Sequence, residues 1–499
     1  MEHLITFGKY SHNMDKNGVV TFGEWFKGQV KHPIYGFGLL KNVEVFENKG
    51  IAKINNRTLL DTSITPGQLP LACIKDVDGN IYIATGETGA GIVAKNGTSL
   101  QSGLANVWDM KIYKDYLWVR HANVMSAYGP LTSAGAQWFG NVGTGFNGNY
   151  RGNIIIGQDD IMYITNGNDI SSMTVVSGGI VGVAPTISLN LSALDLPEGQ
   201  FATCIAEYGR WLMIGTGGGG SYSQMGNFKT ARIYPWDRVS SSVQLPIIFN
   251  ENGIQALVQH ANRLFAIAGD QGNVYETDST SYRKITTIPY VETGVLAPMT
   301  VFPNAFTVSQ KGTLLVGVSV GTTYGKAGVY EVDISNSSYP VCLKNTISTG
   351  STSSNSGRIQ IGFVYPQDYQ TTRIGWQDVT SFGVDTTDFR TYSDYGAVIE
   401  TEMVKVGTFN NKKTFEHIDW CLAEPLVSGQ NIRISYRLNN KDAYTLIGTW
   451  GYGTQGGILS FEDIAHITDA EYIQLKIELD QALITVYGSN VNLISVRLW

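Results

Sequence analysis

Residues 71–86 read LACIKDVDGNIYIATG: an apolar strand, a turn around Gly79, and a second apolar strand. The same sentence returns five times. It reads VWDMKIYKDYLWVRH from Val107, NIIIGQDDIMYITNG from Asn153, ATCIAEYGRWLMIGTG from Ala202, IQALVQHANRLFAIAG from Ile254 and AFTVSQKGTLLVGVS from Ala305. The turn markers are Gly79, Asp115, Asp159, Gly209, Asn262 and Gly312. These residue types tolerate the left-handed backbone that tight hairpins need. The repeats stand roughly 36 to 53 residues apart, a blade-sized period that predicts a β-propeller. Each blade is a small sheet that cannot bury both faces alone; stacking blades radially covers them.

Working outward, three repeats are followed by a third-strand signature: ARIYPWD (231–237), NVYETD (273–278) and GVYEVD (328–333). Tyr234, Tyr275 and Tyr330 each stand three residues before an Asp, which suits a strand with a capped exit turn. A seventh, less regular repeat is expected in RIQIGFVYPQDYQTTRIGWQD, from Arg358 to Asp378, where the loop is longer and carries Pro366. NVEVFENKGIAKINNRTLL, residues 42–60, reads as two short strands around an Asn-Lys-Gly turn and is expected to complete a terminal blade and close the ring.

Beyond residue 392 the pattern changes. IRISYRL sets Ile432, Ile434, Tyr436 and Leu438 on one face, and YIQLKIEL does the same with Ile473, Leu475, Ile477 and Leu479. Period-two alternation means one buried and one wet face, and about 100 such residues predict a two-sheet sandwich. FEDIAHITDAEY (461–472) is expected to hold one or two helical turns. The chain is therefore read as all-β: an extended N-terminal arm (1–45), a propeller of six to seven blades (46–392) and a C-terminal β-sandwich (393–499).

Composition fits this reading. Charged residues are 15% of the 499, against roughly 25% in an average soluble protein, while Gly (57) and Tyr (26) are abundant. The net charge of −7 and the lack of any Lys/Arg run longer than Lys412-Lys413 leave no basic footprint for sequence-specific nucleic-acid binding. No signal-peptide pattern opens the chain, and no stretch approaches the roughly 18 apolar residues of a membrane span.

Chemistry-bearing patterns are few. NMDKNGVVTFGE, residues 13–24, matches a calcium loop, with Asn13, Asp15 and Asn17 at alternate positions, Gly18 at the bend, Thr21 ninth and Glu24 twelfth. Asn in place of the first Asp and the absence of flanking helices favour a plain hairpin turned at Asn17-Gly18. The glycines of GETGAG (86–91) and Gly217 to Gly220 precede no helix and no Lys-Ser/Thr, so they read as loop glycines rather than a phosphate cradle. Asp159, Asp160, Asp378, Asp385 and Asp388 are the acids from which a glycosidase pair would be drawn. His3, His12, His32, His121, His260, His417 and His466 are scattered; His121 and His260 lie inside hairpin repeats, where a structural role is expected. Trp108, Trp138, Trp236, Trp376 and Trp450 suit core or interface better than sugar platforms. Cys73, Cys204, Cys342 and Cys421 are far apart and read as free thiols. No catalytic, cofactor-binding or metal residue is assigned, and the protein is read as not an enzyme.

With these residues in view, the chain resembles a tailed-bacteriophage virion protein. The resemblance rests on the aromatic, Gly-rich TFGKYSHNMDKNGVVTFGEWFKGQ running into NVEVFENKGIAKINNRTLL, on the degenerate hairpin array, and on the C-terminal AVIETEMVKVGTFNNKKTFEHIDWCLAEPLVSGQNIRISYRLNN…YTLIGTW…AEYIQLKIEL. It implies a structural tail component of nozzle, hub or distal-tail type, synthesised in the host cytoplasm and built into the virion as a symmetric oligomer beside other tail proteins. The family supplies no active site to carry over. The competing expectation is a receptor-binding tail protein that grips or cleaves a host surface glycan.

Overall fold

In the computed structural model the described residues are 20–22, 37–44, 52–54, 56–63, 66–86, 90–218, 230–291, 298–321, 325–335, 337–349, 351, 358–369, 371–392, 396–401, 404–405, 413–415, 417–422, 424–438, 443–454, 456–460, 467–470, 472–481 and 492–498. Among them every regular element is a β-strand, apart from one 3₁₀ turn at Pro303–Ala305. The predicted hairpins supply the first two strands of successive four-stranded antiparallel units. Blade 1 runs Pro70–Lys75, Ile81–Thr85, Gly91–Lys95, Thr98–Leu104; blade 2 runs Val107–Tyr113, Tyr116–His121, Val124–Gly129, Gln137–Thr144. Blade 3 is Ile154–Ile156, Met162–Asn166, Asp169–Ser177, Thr186–Asp195, and blade 4 is Gln200–Tyr208, Trp211–Gly218, Ala231–Trp236, Ile247–Phe249. Blade 5 is Ile254–His260, Arg263–Ala268, Asn273–Thr277, Tyr282–Thr287, and blade 6 is Phe306–Val308, Leu314–Val320, Gly328–Val332, Val341–Asn345. The seventh unit takes three strands from one stretch, Ile359–Pro366, Thr372–Asp378 and Ser381–Tyr392, and its fourth, Asn56–Leu60, from the N-terminal side, so residues 56–60 do close the ring.

Local chemistry explains the turns. Gly79, Asp115, Gly209, Asn262 and Gly312 all adopt positive φ, as the sequence predicts; in the third hairpin the neighbour, Asp160, takes that conformation instead of Asp159. The third-strand Asp residues cap their exits. Asp237 accepts from the backbone of Val239 (3.0 Å) and Ser240 (2.7 Å), Asp278 from Thr280 (2.6 Å) and Ser281 (2.7 Å), and Asp333 from Ser335 (2.9 Å). These carboxylates are occupied by their own turns, as Asx-turns require.

The core lies between blades rather than within them. Tyr82, Val93, Val107 and Leu117 fill the space between blades 1 and 2; Trp118, Met125, Ile154 and Met162 that between 2 and 3; Tyr163, Ile205, Ile214 and Trp236 that between 3 and 4. A larger cluster including Phe265, Phe306, Val316, Ile361 and Trp376 runs through blades 5, 6 and 7 to Leu71 of blade 1. Burying one such side chain contributes roughly 1.5–3 kcal/mol, and its partners come from two blades, so neighbouring sheets hold each other in place.

The C-terminal strands form two larger sheets, both of which recruit strands from the N-terminal side, and one separate two-stranded pair. One sheet orders Thr445–Trp450, Gln430–Leu438, Tyr472–Gln481, Ala397–Thr401 and Phe37–Lys41; the other orders Val43–Glu44, Ala52–Ile54, Asn492–Leu498, His417–Leu422 and Gly456–Ser460, with Val20–Phe22 also on Asn492–Leu498. The predicted alternation holds: Ile432, Ile434, Ile473, Leu475, Ile477 and Leu479 are fully buried. Trp420 and Trp450, with ring centroids 4.9 Å apart, join the two sheets. Strands within the extended N-terminal stretch 1–45 lie along this chain's own C-terminal module and complete backbone groups at the edges of its sheets. One sequence expectation needs correction: Ile467–Ala470, expected to be helical, is a strand paired with Lys413–Phe415.

Phe37–Lys41 also touches the propeller. Lys41 pairs in parallel with Leu343 in the outermost strand of blade 6, so blade 6 continues through this strand into the C-terminal sheet. Asn42, buried and at φ 54°, fastens the junction. Its Oδ1 accepts from the Thr346 backbone N–H (3.2 Å) and its amide donates to the Gly396 carbonyl (3.3 Å).

Candidate functional site at the ring axis

The first strands of successive blades lie against one another around the axis. In five of them the register slips by one residue, between Pro70 and Ala72, Val107 and Asp109, Ala202 and Cys204, Ile254 and Ala256, and Ile361 and Phe363. The skipped residues are Leu71, Trp108, Thr203, Gln255 and Gly362. A bulge of this kind re-aims its extra side chain out of the strand's alternation.

Next to these bulges runs a belt of polar bonds from blade to blade. Asp109, almost completely buried in blade 2, accepts from the Ile154 N–H (2.8 Å) and Asn153 Nδ2 (3.1 Å) at blade 3 and from Asn304 Nδ2 (3.0 Å) beside blade 6. Asn304 also donates to the Leu71 carbonyl of blade 1 (3.0 Å). Asn153 Oδ1 accepts from Ile205 of blade 4 (3.0 Å), and Thr203 of blade 4 donates to the Ile254 carbonyl of blade 5 (2.5 Å). Gln255 of blade 5 accepts from the Val301 N–H (2.5 Å), and Ser319 of blade 6 accepts from the Ile361 N–H of blade 7 (2.8 Å). Blades 7 and 1 meet by close backbone packing instead: a Cβ on Gly362 would lie 2.0 Å from the Pro70 carbonyl oxygen of blade 1. The Arg151 guanidinium lies 3.9 Å from the Phe302 ring centroid and 5.9 Å from that of Trp108, a cation–π stack near the same centre.

The remaining space at this level, lined by Leu71, Trp108, Asp109, Arg151 and Asn304 among others, measures about 10 Å³, room for about one water. Ligand pockets are typically roughly 300–1,000 Å³. Among the described residues, this space between blades 1, 2, 3 and 6 is crowded by the side chains that bond those blades together. Larger hollows of about 180 and 220 Å³ lie at the seam of blades 7 and 1, along Ile81, Ile83, Ala94 and Gly97, with the Asp61–Arg373 ion pair (2.7 Å) on the wall of the first.

Among the described side chains, the acids considered from the sequence fall at two places, one in blade 3 and one in blade 7. Asp159 accepts from the Tyr163 hydroxyl (2.7 Å) and Asp160 pairs with Lys114, both at the blade 3 turn. Asp378 and Asp385 are in blade 7. Asp385 is fully buried and accepts from Ser348 N–H and Oγ, both at 2.6 Å; burial outweighs those bonds and raises its pKa to about 6. The side chain of Asp388 and the loop segment 13–19, with Asn13, Asp15 and Asn17, lie outside the described residues. Thr21, the ninth position of that loop pattern, sits in the strand Val20–Phe22 opposite Arg497. Among the described residues no group of three His, Cys, Asp or Glu side chains gathers as metal ligands would.

His121 is buried, its Nε2 2.8 Å from Ser126 Oγ, and burial beside Arg120 lowers its pKa to about 4, so it is a neutral structural histidine near pH 7. Arg120, fully buried, donates to the carbonyls of His121 (3.2 Å), Ala122 and Asn147 (3.0 Å) and lies 4.6 Å from the Phe146 ring centroid; burial pulls its pKa down to about 9. Trp108, Trp236 and Trp376 are buried, and Trp138 and Trp450 half-buried, which favours core over sugar platform. Cys73, Cys204, Cys342 and Cys421 are free thiols, and burial lifts those of Cys73 and Cys204 up to about 12. At the GETGAG glycines a Cβ on Gly86 would lie 2.5 Å from the Gly91 Cα: these residues permit backbone crowding and precede a strand. The belt residues Asp109, Asn153, Thr203, Gln255 and Asn304 were not singled out from sequence. Their signal was present as one polar residue near the start of the apolar first strand of each of blades 2 to 6.

No family model matches the chain, and no curated protein matches it significantly. Solved structures do. Virginiamycin B lyase from Staphylococcus aureus is 13% identical, with 66% of this chain and 98% of that chain covered and a TM-score of 0.42. The β-propeller domain of Cps50 (Swd1) from Myceliophteria thermophila is 9% identical over 66% and 98%, with a TM-score of 0.43. A luciferin-regenerating enzyme is 12% identical over 68% and 97%, with a TM-score of 0.40. At such identities and TM-scores no activity transfers.

Proposed function

We propose that this protein is a structural component of a bacteriophage tail, assembled as a symmetric oligomer with other tail proteins in the virion. The observation that carries this reading is the axial belt. Polar residues at the propeller centre, where a ligand or catalytic group would gather, are spent on blade-to-blade bonds around a space of about 10 Å³. The Asp residues at the blade turns are likewise committed to their own caps. The sequence resemblance to tailed-phage virion proteins supports the same reading. Fusing a small tag to the chain and imaging purified virions by electron microscopy tests it. A ring or collar of tagged copies between capsid and fibres is expected; a few copies at peripheral tips, together with binding on a glycan array, would favour the receptor-binding alternative. A polysaccharide turnover assay on host capsule and lipopolysaccharide is expected to show none.

A further inference from the structure

Blades 4, 5 and 6 each pack against the blade before them with a tyrosine. It stands third in a cross-strand row: Ile205, Ile214 and Tyr234 in blade 4, Leu257, Ala266 and Tyr275 in blade 5, and Phe306, Val316 and Tyr330 in blade 6. All three rings are buried in clusters that span both blades. In blade 1 the row that faces blade 7 reads Cys73, Ile83, Ala94 and Ser99. Ala94 stands where those blades place the tyrosine, and Ser99 beside it adds little bulk.

The missing bulk appears as the two hollows at this seam. They adjoin along Ile83, Ala94 and Gly97 and measure about 180 and 220 Å³. An apolar cavity of about 150 Å³ is enough to take benzene. Ile83, Ile92 and Ala94 make an aliphatic floor, and the exposed residues Ser63 and Ser99 mark the mouth. Asp61 and Arg373 stand on the wall. Arg373 Nη1 donates to Asp61 Oδ2 (2.7 Å) and Nε to Gln367 Oε1 (2.9 Å). Among the described residues nothing accepts from its Nη2, and no ring lies against its guanidinium. Elsewhere in the propeller such rings are present: Phe146 against Arg120 (4.6 Å), Phe302 against Arg151 (3.9 Å) and Phe265 against Arg263 (4.8 Å). Asp61 accepts from Ser63 N–H and Oγ and from Arg373, which leaves one of about four acceptor sites on the carboxylate. Tyrosines of this chain give their hydroxyls to such acids: Tyr82 to Asp76 (3.0 Å), Tyr163 to Asp159 (2.7 Å) and Tyr275 to Glu251 (2.5 Å).

We propose that the hollow at the seam of blades 7 and 1 binds a para-hydroxyphenyl ring supplied from outside the chain. The ring takes the space that Ala94 leaves open, with one face on the aliphatic floor and the guanidinium of Arg373 beside it. An aliphatic ligand of the same size fills the volume but offers Arg373 no π-face. The hydroxyl accepts from Arg373 Nη2 and donates to Asp61, so the polar end of the ligand and the polar wall satisfy each other. A carboxylate or an ammonium group is a poorer fit: Asp61 and Arg373 already neutralise one another, so a charged ligand gives up its water without gaining an unpaired partner. The recognised chemistry is the same in a free phenol and in a tyrosine of a neighbouring protein. This site does not depend on the tail reading and is tested separately from it.

The test is titration of the full chain with p-cresol, followed by calorimetry and by ligand-detected nuclear magnetic resonance. Saturable binding to wild type is expected. Ala94→Tyr, which fills the hollow from within, is expected to weaken it about tenfold or more. Ser99→Phe, at an exposed position of the mouth, is expected to do the same and keeps the test valid if the first variant misfolds. The saturated counterpart of the probe, 4-methylcyclohexanol, is expected to bind about tenfold more weakly than p-cresol. N-Acetyltyrosinamide distinguishes the sources of the ring. Binding as tight as that of p-cresol points to a tyrosine carried by a protein, and binding of p-cresol without the amide points to a free phenol; both results support the site. No saturable binding of p-cresol, unchanged binding in either folded variant, or equal binding of the saturated alcohol would each overturn the proposal.

Discussion

Replacing Asn42 by alanine should loosen the junction of propeller and C-terminal sheet without unfolding either. The substitution removes the acceptor of the Thr346 N–H (3.2 Å) and the donor to the Gly396 carbonyl (3.3 Å). Both bonds are long, so each buried group left unpaired is placed at the low end of its range, about 1 kcal/mol. Asn tolerates φ 54° better than Ala does, which adds about 1 kcal/mol. The sum is about 3 kcal/mol, or about a hundredfold in a local opening equilibrium. Hydrogen exchange read by mass spectrometry is the assay, on peptides spanning residues 37–43 and 341–346. Exchange there should accelerate about a hundredfold in Asn42→Ala and about thirtyfold in Asn42→Gly, which loses the bonds but relieves the backbone. Peptides in blades 2 and 3 should not change. If both variants exchange within threefold of wild type at the junction while remaining folded, Asn42 does not fasten it and the reasoning fails.

Three further substitutions probe the ring. Asp109→Ala strands the side-chain amides of Asn153 and Asn304 and the Ile154 N–H, and should cost about 3–5 kcal/mol, with Asp109→Asn milder; urea denaturation checks it, and an unchanged midpoint would show the belt to be decorative. Gly362→Ala forces a methyl against the Pro70 carbonyl and should cost about 3 kcal/mol, with raised hydrogen exchange at the blade 7–blade 1 seam, whereas Gly140→Ala, where a Cβ meets only Trp138 Nε1 at 3.9 Å, should be near neutral. Asp385 gives a pH signature. Its folded pKa, raised from 3.8 to about 6, means that the folded state holds a proton the unfolded chain releases. Its contribution is therefore full below about pH 4 and lost as pH rises through 6, about 3 kcal/mol in all. Relative to Asp385→Asn, wild type should lose that amount between pH 4 and pH 7 in denaturant titrations; a constant difference would refute it.

The hairpins were legible because both of their determinants are local. Period-two apolarity and a turn residue able to take positive φ sit within sixteen residues, and five of six markers take that φ where expected. Even the third-strand Asp caps could be read, since an Asx-turn closes within three residues. What could not be read depends on contacts made across the ring. Asp109 and Asn304 are far apart in sequence, and nothing near either residue announces the other. The helical expectation at residues 461–472 failed for the same reason at Ile467–Ala470: a short polar-apolar mixture took the state that its strand partner, Lys413–Phe415, imposed. Of the acids that were weighed, Asp159 and Asp160 lie in blade 3 and Asp378 and Asp385 in blade 7, each held by a structural neighbour.

The strands that begin the described chain are used last. Val20 pairs with Leu498, Lys41 with Val398 and Asn56 with Tyr392. During synthesis these segments emerge early and wait, exposed, while the ribosome makes the blades between them and their partners. Ring closure must wait for Ser381–Tyr392 and completion of the C-terminal sheets for Asn492–Leu498, and such long-range closure is slow because loop entropy is lost before any contact rewards it. Blades 1 to 5 can form in order as they appear, each stacking on the one before. The ring closes first and the C-terminal sheets last, so a copy halted before either closure would carry open strands ready to join a neighbour.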